Sequence, residues 1–235
     1  ILTEISVIKN NQIPLDDYNP ICCNDKTLFE DLFTGYEEYK NDLKVVDFDD
    51  MLKECEELLQ NNTPQREYWQ KRFSHILIDE FQDINYRQYC IVRLLAERHK
   101  NVFAVGDDDQ AIYSFRGARP ACMQMFVREF AATQILLRTN YRSHHDIVKA
   151  SLLVINENLD RFPKILEASE LNQRKEETYR GTACRVRIKE FRDAPEQMQY
   201  LLHCLKGRST QETCAILFRT NLAMQSVAAR LGREG

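Results

Sequence analysis

Short apolar runs that end in polar residues alternate along this chain with segments of helical periodicity. Two such runs, at residues 75–78 and 102–105, lead directly into acidic residues, and a third lies at residues 135–137. Apolar residues recur at helical spacing in three other segments, at residues 88–97, 121–130 and 147–155. Strands that alternate with helices are typical of a parallel sheet covered by helices. We therefore predict an α/β fold.

The alternation restarts after a polar stretch at residues 167–181, which is the best candidate for a linker or surface loop. Residues 186–191 and 215–218 are predicted strands. Helices are predicted at 195–205, where Pro195 suits a first turn, and at 221–231. Upstream, residues 1–45 are predicted to be mostly helical, and residues 50–60 form an amphipathic pattern. The chain is therefore predicted to contain two α/β domains, the second of them incomplete.

Composition is that of an ordinary globular protein. Of the 235 residues 43% are hydrophobic and 29% are charged, and the net charge is −4. Composition alone therefore gives no basic footprint of a nucleic-acid binder, although the region 161–189 is locally rich in basic residues. No segment approaches the roughly 18 apolar residues of a membrane span, and no signal peptide is visible. We expect a cytoplasmic protein that does not enter a membrane.

The eight cysteines do not form a metal-binding or disulfide pattern. No CxxC pair occurs, and no histidine stands near a cysteine at zinc-ligand spacing. Several lie within apolar runs, such as Cys90 and Cys214. Buried free thiols in a reducing compartment explain this usage better than disulfides do.

Asp79 and Glu80 follow the first apolar run, in the segment HILIDEFQD. In open parallel α/β sheets, ligands bind beyond the carboxyl ends of the strands. Two carboxylates there suit nucleotide hydrolysis, because one can hold Mg²⁺ through water and the other can orient or deprotonate the attacking water. An isolated acidic pair after a strand is common, but DExQD after four apolar residues is far more specific.

The second run opens the segment VGDDDQAIYSFRGA. Gly106 is predicted to let the backbone turn sharply after the strand. Gln110 is neutral and can both donate and accept a hydrogen bond, which suits the sensing of a terminal phosphate. Tyr113 and Phe115 alternate with Arg116, and aromatic rings beside arginine form a platform for unstacked bases. The alternative is that the two aromatic side chains belong to the core.

A third polar cluster follows the third run, in the segment LLRTNYRS. Polar residues thus stand at three strand ends, at Asp79, Gly106 and Thr139, which we expect to converge. Arg142 lies just beyond the third strand, where an arginine could reach a γ-phosphate from a neighbouring domain. Considered alone, it would be an ordinary surface arginine.

In this order, DEFQD, VGDDDQAIYSFRGA and NYRS resemble motifs II, III and IV of the UvrD/PcrA/Rep-type superfamily 1 DNA helicases. The segment VDFDDML at residues 46–52 resembles a family segment that precedes motif II. AILFRTN at residues 215–221 is similar to a strand of the family's second RecA-like domain. The likeness extends from about residue 28 to the end of the chain.

The resemblance implies an ATP site with Mg²⁺. Asp79 would ligate the Mg²⁺ through water and Glu80 would activate the attacking water. Gln110 would sense the γ-phosphate, Arg142 would be the arginine finger across the cleft, and Tyr141 would stack on adenine. Single-stranded DNA and single-strand/duplex junctions are the implied partners, and no protein partner is indicated.

The DNA contacts implied by the resemblance come from two places in the chain. Tyr113, Phe115 and Arg116 would meet single-stranded DNA from the first domain. Arg219 and Asn221 would touch the strand from the second domain.

The fold implied by the resemblance is RecA-like, of the P-loop NTPase type, with parallel sheets that carry helices on both faces in a partial two-domain helicase core. Residues 1–45 would be the tail of an inserted helical subdomain. Residues 46–142 would be the C-terminal part of the first RecA-like domain, and residues 143–235 the N-terminal part of the second.

The sequence departs from the family pattern at several positions. Phe81 replaces the usual tyrosine of motif II, Phe115 stands where tryptophan is usual, and Arg119 replaces an acid whose role is thereby in doubt. No GxxxxGK[ST] phosphate loop and no motif V or VI occurs in the 235 residues. Together with the appearance of both ends, this absence favours a fragment that is inactive on its own.

Three functions are compatible with these observations to different degrees. The first is an ATP-dependent 3′-to-5′ DNA helicase and translocase, of which the helicase subunit of an AddA- or RecB-like helicase–nuclease is a variant. The second is a non-catalytic nucleic-acid-binding module, which the intact acidic and basic motif residues disfavour. The third is an unrelated P-loop ATPase, which the aromatic and arginine segment after Gln110 disfavours.

Overall fold

A computed structural model describes residues 1–159, 161–170, 186–206 and 213–234. The chain forms two compact units, Ile1–Gly181 and Thr182–Gly235. The helices of the first unit are α1 (Leu2–Asn11), α2 (Lys26–Leu43), α3 (Phe48–Asn61), α4 (Thr63–Arg72), α5 (Tyr86–Ala96), α6 (Ala121–Glu129) and α7 (His145–Ile155). Its strands are β1 (Ile76–Ile78), β2 (Val102–Ala104), β3 (Thr139–Asn140) and β4 (Glu167–Ala168). The second unit contains α8 (Ala194–Lys206) and α9 (Asn221–Glu234).

The N-terminal region is helical, as predicted. Helix α2 begins after Asp25, whose carboxylate accepts a hydrogen bond from the Leu28 backbone N–H at 3.1 Å. Ile5 and Ile8 of α1 pack with Phe29 of α2 in a small core of their own. Helix α3 begins at a capping box in which the side chains of Asp47 and Asp50 each accept from the other's backbone N–H.

A cluster of buried charges joins these helices. It is called the Lys9 cluster here and consists of Lys9, Glu37, Lys40, Asp47 and Asp50. The Lys9 Nζ lies 2.9 Å from Asp47 and 2.5 Å from Asp50, and the Lys40 Nζ lies 2.8 Å and 2.7 Å from the same two carboxylates. Charges removed from water in this way are tolerable only because each has a partner. The cluster therefore ties α1 and α2 to the start of α3.

Arg87 attaches α5 to the same helices. Its guanidinium donates to the Glu56 carboxylate of α3 at 2.6 Å and to the backbone carbonyl of Lys9 at 2.8 Å. Gln12 donates to both oxygens of Glu56, at 2.9 Å and 2.7 Å, and shares the second of them with Arg87. The end of α1 is thus fixed against the helix that follows β1.

Strands β1 and β2 pair in parallel, with Ile76, Leu77 and Ile78 opposite Val102, Phe103 and Ala104. This confirms the first two predicted strands and the helix between them. One face of the pair lies on a core formed by Phe81, Tyr89, Cys122 and Phe126. On the other face, Leu77 is 75% exposed and Phe103 is 60% exposed. In the part of the chain that the structure describes, helices therefore cover only one of the two faces predicted to be covered.

The third predicted strand is displaced. Residues 135–137 have no strand geometry, and the strand is β3, which pairs in parallel with β4. Ile135 and Leu137 are exposed, so the apolar run does not enter the core of the described structure. A strand requires a hydrogen-bonding neighbour, and here that neighbour, Glu167–Ala168, aligns with Thr139–Asn140 instead. The expectation that three strand ends converge on one sheet is wrong, since β3 pairs with β4 in a second sheet, separate from that of β1 and β2.

In the second unit both predicted helices are present as α8 and α9. The two predicted strands, at residues 186–191 and 215–218, have no strand geometry, and Ile188 and Leu217 are almost fully exposed. Those strand predictions are wrong for the structure described, because neither segment has a paired neighbour there. Apolar sequence alone does not make a strand when no backbone partner completes its hydrogen bonds.

The sequence also predicts free thiols and no membrane-spanning segment. Seven of the cysteines are free, and the eighth, Cys184, lies outside the described residues. Cys90 and Cys122 are buried as predicted and Cys23 is half-buried. The prediction of buried thiols is wrong for the exposed Cys22, Cys55, Cys204 and Cys214. Among the residues described, no helix combines the length and apolar composition that crossing a bilayer requires. The predicted domain boundaries at residues 45 and 142 remain a prediction.

Candidate functional site

The carboxyl ends of β1 and β2 are joined by backbone hydrogen bonds that continue past both strands. The Val105 N–H donates to the Ile78 carbonyl at 2.8 Å, and the Phe81 N–H donates to the Val105 carbonyl at 2.9 Å. Asp79 and Glu80 therefore emerge beside Gly106, as the sequence predicted for adjacent parallel strands.

The backbone at Glu80 is left-handed, with φ at 49°. This conformation is uncommon for a residue with a side chain and is often found at functional turns. The Glu80 N–H donates to the Asp79 carboxylate at 2.9 Å, which stabilises the turn. Both carboxylates are exposed at the strand end, where a ligand can reach them.

Gln82, which was not among the predicted site residues, links the two predicted motifs. Its side-chain amide donates to the Glu80 carboxylate at 2.7 Å, and its carbonyl oxygen accepts the Asp107 backbone N–H at 3.0 Å. Only 2% of the residue is exposed. A glutamine at this place in DEFQD can satisfy a carboxylate acceptor and a backbone donor at once. Its position in that motif was the available signal.

Gly106 has a different role from the one predicted. Its φ is not positive, so it is not required for a sharp turn. A Cβ atom at this position would lie 2.8 Å from the Gln82 side-chain oxygen and 3.2 Å from the backbone nitrogens of Phe81 and Gln82. Glycine is needed because Gln82 crosses directly against the backbone.

Asp83 ends the DEFQD segment in a poorly solvated position. One oxygen of its carboxyl is buried and has no hydrogen-bond partner among the described residues. Burial raises the pKa of Asp83, and the nearby charge of Glu80 raises it further. The carboxyl groups of Glu80 and Asp83 therefore lie close enough to repel each other when both are ionised.

Gln110 lies in a short 3₁₀ helix, Asp108–Gln110, that follows β2. Its side-chain amide donates to the Asp107 carboxylate at 2.7 Å. Since the Asp107 N–H is held by Gln82, one chain of hydrogen bonds runs from Glu80 through Gln82 and Asp107 to Gln110. The structure thus brings together the acidic and glutamine residues predicted from two separate segments.

Tyr113, Phe115 and Arg116 form an exposed group. The two rings lie with centroids 6.0 Å apart, and the Arg116 guanidinium carbon is 5.4 Å from the Tyr113 ring and 5.5 Å from the Phe115 ring. Phe115 is 56% exposed and Tyr113 is 38% exposed. Neither is a core residue, which removes the alternative interpretation of this segment.

Helix α1 supports this aromatic group from beneath. Gly117 has a φ of 88°, which favours glycine, and its carbonyl accepts a hydrogen bond from Asn11 at 3.0 Å. A side chain at Gly117 would also approach Asn11 and the backbone of Val7. The platform is therefore fixed on a helix that itself belongs to the well-packed N-terminal region.

The three aspartates after β2 bind a basic segment more than 50 residues further along the chain, a contact that was not predicted from the sequence. We call this group the Lys164 cluster, which consists of Asp107, Asp108, Asp109, Arg161 and Lys164. Arg161 holds Asp109 with two hydrogen bonds, at 2.9 Å and 2.6 Å. The Lys164 Nζ contacts Asp107 and lies 2.5 Å from Asp108 and 3.0 Å from Asp109. The local excess of basic residues from 161 onward was the only signal for it.

The remaining predicted site residues lie elsewhere. Tyr141 and Arg142 are exposed on the turn after β3, where the Asn140 side chain accepts the Arg142 N–H at 3.0 Å. Arg219 and Asn221 are exposed at the start of α9, in the second unit. Neither pair is joined to the Glu80–Gln110 chain by a hydrogen bond among the described residues.

Comparison with known proteins defines the class to which this arrangement belongs. A family model described as the UvrD/REP helicase N-terminal domain matches residues 1–131. A second, described as the UvrD-like helicase C-terminal domain, matches residues 135–235. The chain therefore belongs to the UvrD/REP helicase family, as its motifs indicated. Membership implies an α/β fold of the RecA-like type, with which the two small parallel sheets are compatible.

Curated relatives agree with this assignment. The putative ATP-dependent DNA helicase YjcD of Bacillus subtilis is 35% identical over 225 residues, 95% of this chain and 28% of the relative. The ATP-dependent DNA helicase PcrA of Staphylococcus aureus is 33% identical over 221 residues, 92% of this chain and 29% of the relative. DNA helicase II of Rickettsia typhi is 44% identical over 135 residues, 56% of this chain and 20% of the relative. The chain thus spans less than a third of the length of these relatives.

Proposed function

We propose that the whole protein is an ATP-dependent DNA helicase that moves 3′ to 5′ along single-stranded DNA and unwinds duplex at a single-strand junction. One observation carries the proposal. The hydrogen-bond chain from Glu80 to Gln110 joins two motifs at one sheet edge, and the exposed aromatic group follows three residues later on the same loop. Gln110 and the groups suited to base stacking thereby lie on one continuous segment, which hydrogen bonds join to Glu80.

Asp79 and Glu80 fit a magnesium ion bound largely through water. Both are exposed carboxylates at a strand end, and oxygen ligands of this type are those that Mg²⁺ prefers. The ion would supply charge neutralisation for the β- and γ-phosphates. Asp79 would hold it, while its second role is to accept the Glu80 N–H and so fix the Glu80 turn.

Glu80 would act as the base that orients and deprotonates the attacking water. Gln82 donates to one Glu80 oxygen, which orients the carboxylate while the other oxygen can meet a water molecule. Gln110 would contact the γ-phosphate, with its amide already oriented by Asp107. Arg142 would contribute positive charge to the same phosphate, and Tyr141 would stack on adenine.

Tyr113, Phe115 and Arg116 would receive unstacked bases of the DNA strand. Stacking on an exposed aromatic ring is tolerant of base sequence, which suits movement along DNA of any sequence. Arg219 and Asn221 would meet the same strand from the second unit. Because Gln110 precedes Tyr113 by only three residues, a change at the nucleotide would be transmitted to the DNA contact through a short segment.

The test is steady-state ATP turnover by the whole protein and its Glu80→Gln variant, with single-stranded oligonucleotide present. Loss of the base should reduce turnover by about 10²–10⁴-fold, while nucleotide binding is retained. Unwinding is then measured on duplexes with a 3′ or a 5′ tail, and only the 3′-tailed substrate should be opened. Turnover that survives Glu80→Gln, or a preference for 5′ tails, would refute the corresponding part of the proposal.

A further inference from the structure

The Lys164 cluster lies next to the candidate site but has no role in the function proposed so far. Its three aspartates come close enough to share one cation. The ammonium group of Lys164 contacts all three carboxylates, so in this structure a protein side chain already supplies the shared positive charge. The cluster is therefore an ion-pair network within the chain.

Four of the five side chains of the cluster are well shielded from solvent, and the fifth, Asp107, is 32% exposed. The side chains of Arg161, Lys164 and Asp108 are each 10% exposed, and that of Asp109 is 11% exposed. The Phe162 backbone N–H donates to Asp108 at 2.7 Å, so the main chain of the basic segment contributes as well. Ion pairs with this degree of burial are screened much less by salt than surface pairs are.

Asp107 differs from the other two aspartates, because it faces the site as well as the cluster. One of its carboxylate oxygens contacts Lys164, and the other accepts from Gln110 at 2.7 Å. Burial alone would raise the pKa of Asp107, but hydrogen bonds from Lys164 and Gln110 outweigh burial and hold that pKa below its ordinary value. Asp107 therefore stays ionised and keeps accepting from Gln110.

We propose that Lys164 is a positioning residue for Gln110, acting through the Asp107 carboxylate, while Arg161 anchors the same turn through Asp109. This inference rests on the proposed function, in which Gln110 meets the γ-phosphate. It also names a contact through which the C-terminal stretch of the chain can affect the position of Gln110. Lys164 lies in the stretch matched by the C-terminal helicase domain and Asp107 in that matched by the N-terminal domain. Both residues lie in the first compact unit, and a displacement that separates Lys164 from Asp107 would release Gln110.

The experiment compares Lys164→Met, which removes the charge at similar length, with Lys164→Arg, which keeps it. ATP turnover by the whole protein with single-stranded DNA is measured for both, together with nucleotide affinity. Misplacing Gln110 should lower kcat about 10–100-fold with nearly unchanged KM for ATP, and Lys164→Arg should recover most of the loss. The control is Lys149→Met, an exposed lysine of α7, which should leave turnover unchanged.

A double variant tests the route. If Lys164 acts through Asp107, Lys164→Met combined with Asp107→Asn should be no slower than the slower single variant. Losses that multiply would overturn the proposal, because the two residues would then act independently. A parallel fall in nucleotide affinity and kcat that Lys164→Arg does not rescue would also overturn it, since that pattern indicates a merely structural role.

One readout needs no catalysis and separates this inference from the proposed function. Hydrogen exchange at the backbone amides of Asp109 and Gln110 in the 235-residue chain should be faster in Lys164→Met than in the unaltered chain. Unchanged exchange would overturn the positioning role even if the protein hydrolyses ATP. If exchange is faster in Lys164→Met but the whole protein shows no ATP turnover, the proposed function is refuted. The same result would still support the role of Lys164 in stabilising the turn at residues 107–110.

Discussion

The Lys9 cluster and the Lys164 cluster are built from the same chemistry. Each groups three acidic side chains closely enough to share a cation, and in each that charge comes from lysine. Both lysines are strongly buried, with 7% of the Lys9 side chain and 10% of the Lys164 side chain exposed. The composition of the two networks therefore does not distinguish what they do.

The two clusters differ in where their hydrogen bonds lead. The side-chain bonds of the Lys9 cluster stay among α1, α2 and the start of α3, and the Lys9 carbonyl also accepts from Arg87 of α5. None of these bonds reaches Glu80 or Gln110. The Lys164 cluster continues through Asp107 into the candidate site. We conclude that the Lys9 cluster holds the fold, whereas the Lys164 cluster adjusts a residue of the site. Four predictions can break or sharpen this comparison.

Lys9→Met should have the largest effect on stability. Three carboxylates would then share Lys40 alone, and breaking a buried ion network by removing one partner costs about 3–5 kcal/mol. The free energy of unfolding can be measured in urea from the fluorescence of Trp69, the single tryptophan, which reports on the first unit. Lys53→Met is the control, since Lys53 is half exposed and its Glu57 partner is 3.9 Å away. Equal stability of the two variants would contradict a structural role for the Lys9 cluster.

Gly106→Ala should disturb the site more than the helices. The added Cβ would meet Gln82, which cannot move without breaking its bonds to Glu80 and Asp107. Overpacking of this kind costs about 1–3 kcal/mol, and ATP turnover by the whole protein should fall with it. Gly35→Ala in α2 is the matched control, because nothing lies within 4 Å of its added Cβ. That control should stabilise the chain by about 0.5–1 kcal/mol.

Phe115→Ala should weaken single-stranded DNA binding by about 1–3 kcal/mol, the usual value of one base–aromatic stack. Its ring is exposed, so the unfolding free energy should scarcely change. Fluorescence anisotropy of a labelled oligonucleotide measures the binding. Phe48→Ala removes another exposed ring, at the start of α3, and should leave DNA affinity as it was. If Phe48→Ala weakens binding as much, the platform is not specific.

The pH dependence of stability should be the smallest of the four effects. Burial alone would raise the pKa of Asp47, but hydrogen bonds from Lys40 and Lys9 outweigh burial and hold that pKa well below its ordinary value. A carboxyl with a depressed folded-state pKa stabilises the protein above its unfolded pKa, and that contribution is lost as the pH falls through the folded pKa.

Unfolding free energies should therefore decrease below about pH 4, and Asp47→Asn should make the decrease shallower. The measurement is a series of urea titrations of the 235-residue chain over that range. Asp107 and Asp50 also have depressed pKa values, so part of the slope should remain in the variant. An identical slope in both chains would exclude the Asp47 contribution.

Sequence patterns predicted the local elements of the site well. The strands at Ile76–Ile78 and Val102–Ala104 and the helix between them follow from short-range periodicity. The placement of Asp79 and Glu80 beyond the first strand, and of Gln110 after the second, follows from the motifs, whereas the left-handed turn at Glu80 was not predicted. Strands were wrongly predicted at residues 186–191 and 215–218, because a strand depends on a partner that its own residues do not specify.

Contacts between distant residues explain what else the sequence did not reveal. Gln82 meets Asp107 across 25 positions, and Lys164 meets Asp107 across 57 positions. Gly106 was noticed for its backbone freedom, although the approach of Gln82 is what excludes a side chain there. Periodicity cannot predict such pairings, because they depend on how the β1–β2 edge and the segment after α7 come together.

The division of roles between the two clusters is tested most directly by measuring ATP turnover per folded molecule in Asp107→Asn and Asp50→Asn side by side. Each variant removes the charge from one carboxylate that is bonded to lysine. Asp107→Asn should lose about 10–100-fold in DNA-stimulated turnover, because asparagine has no charge and leaves one acceptor oxygen where Lys164 and Gln110 now use two. Asp50→Asn should keep its turnover and lose stability instead. Equal losses of turnover in the two variants, or a loss confined to Asp50→Asn, would contradict the account.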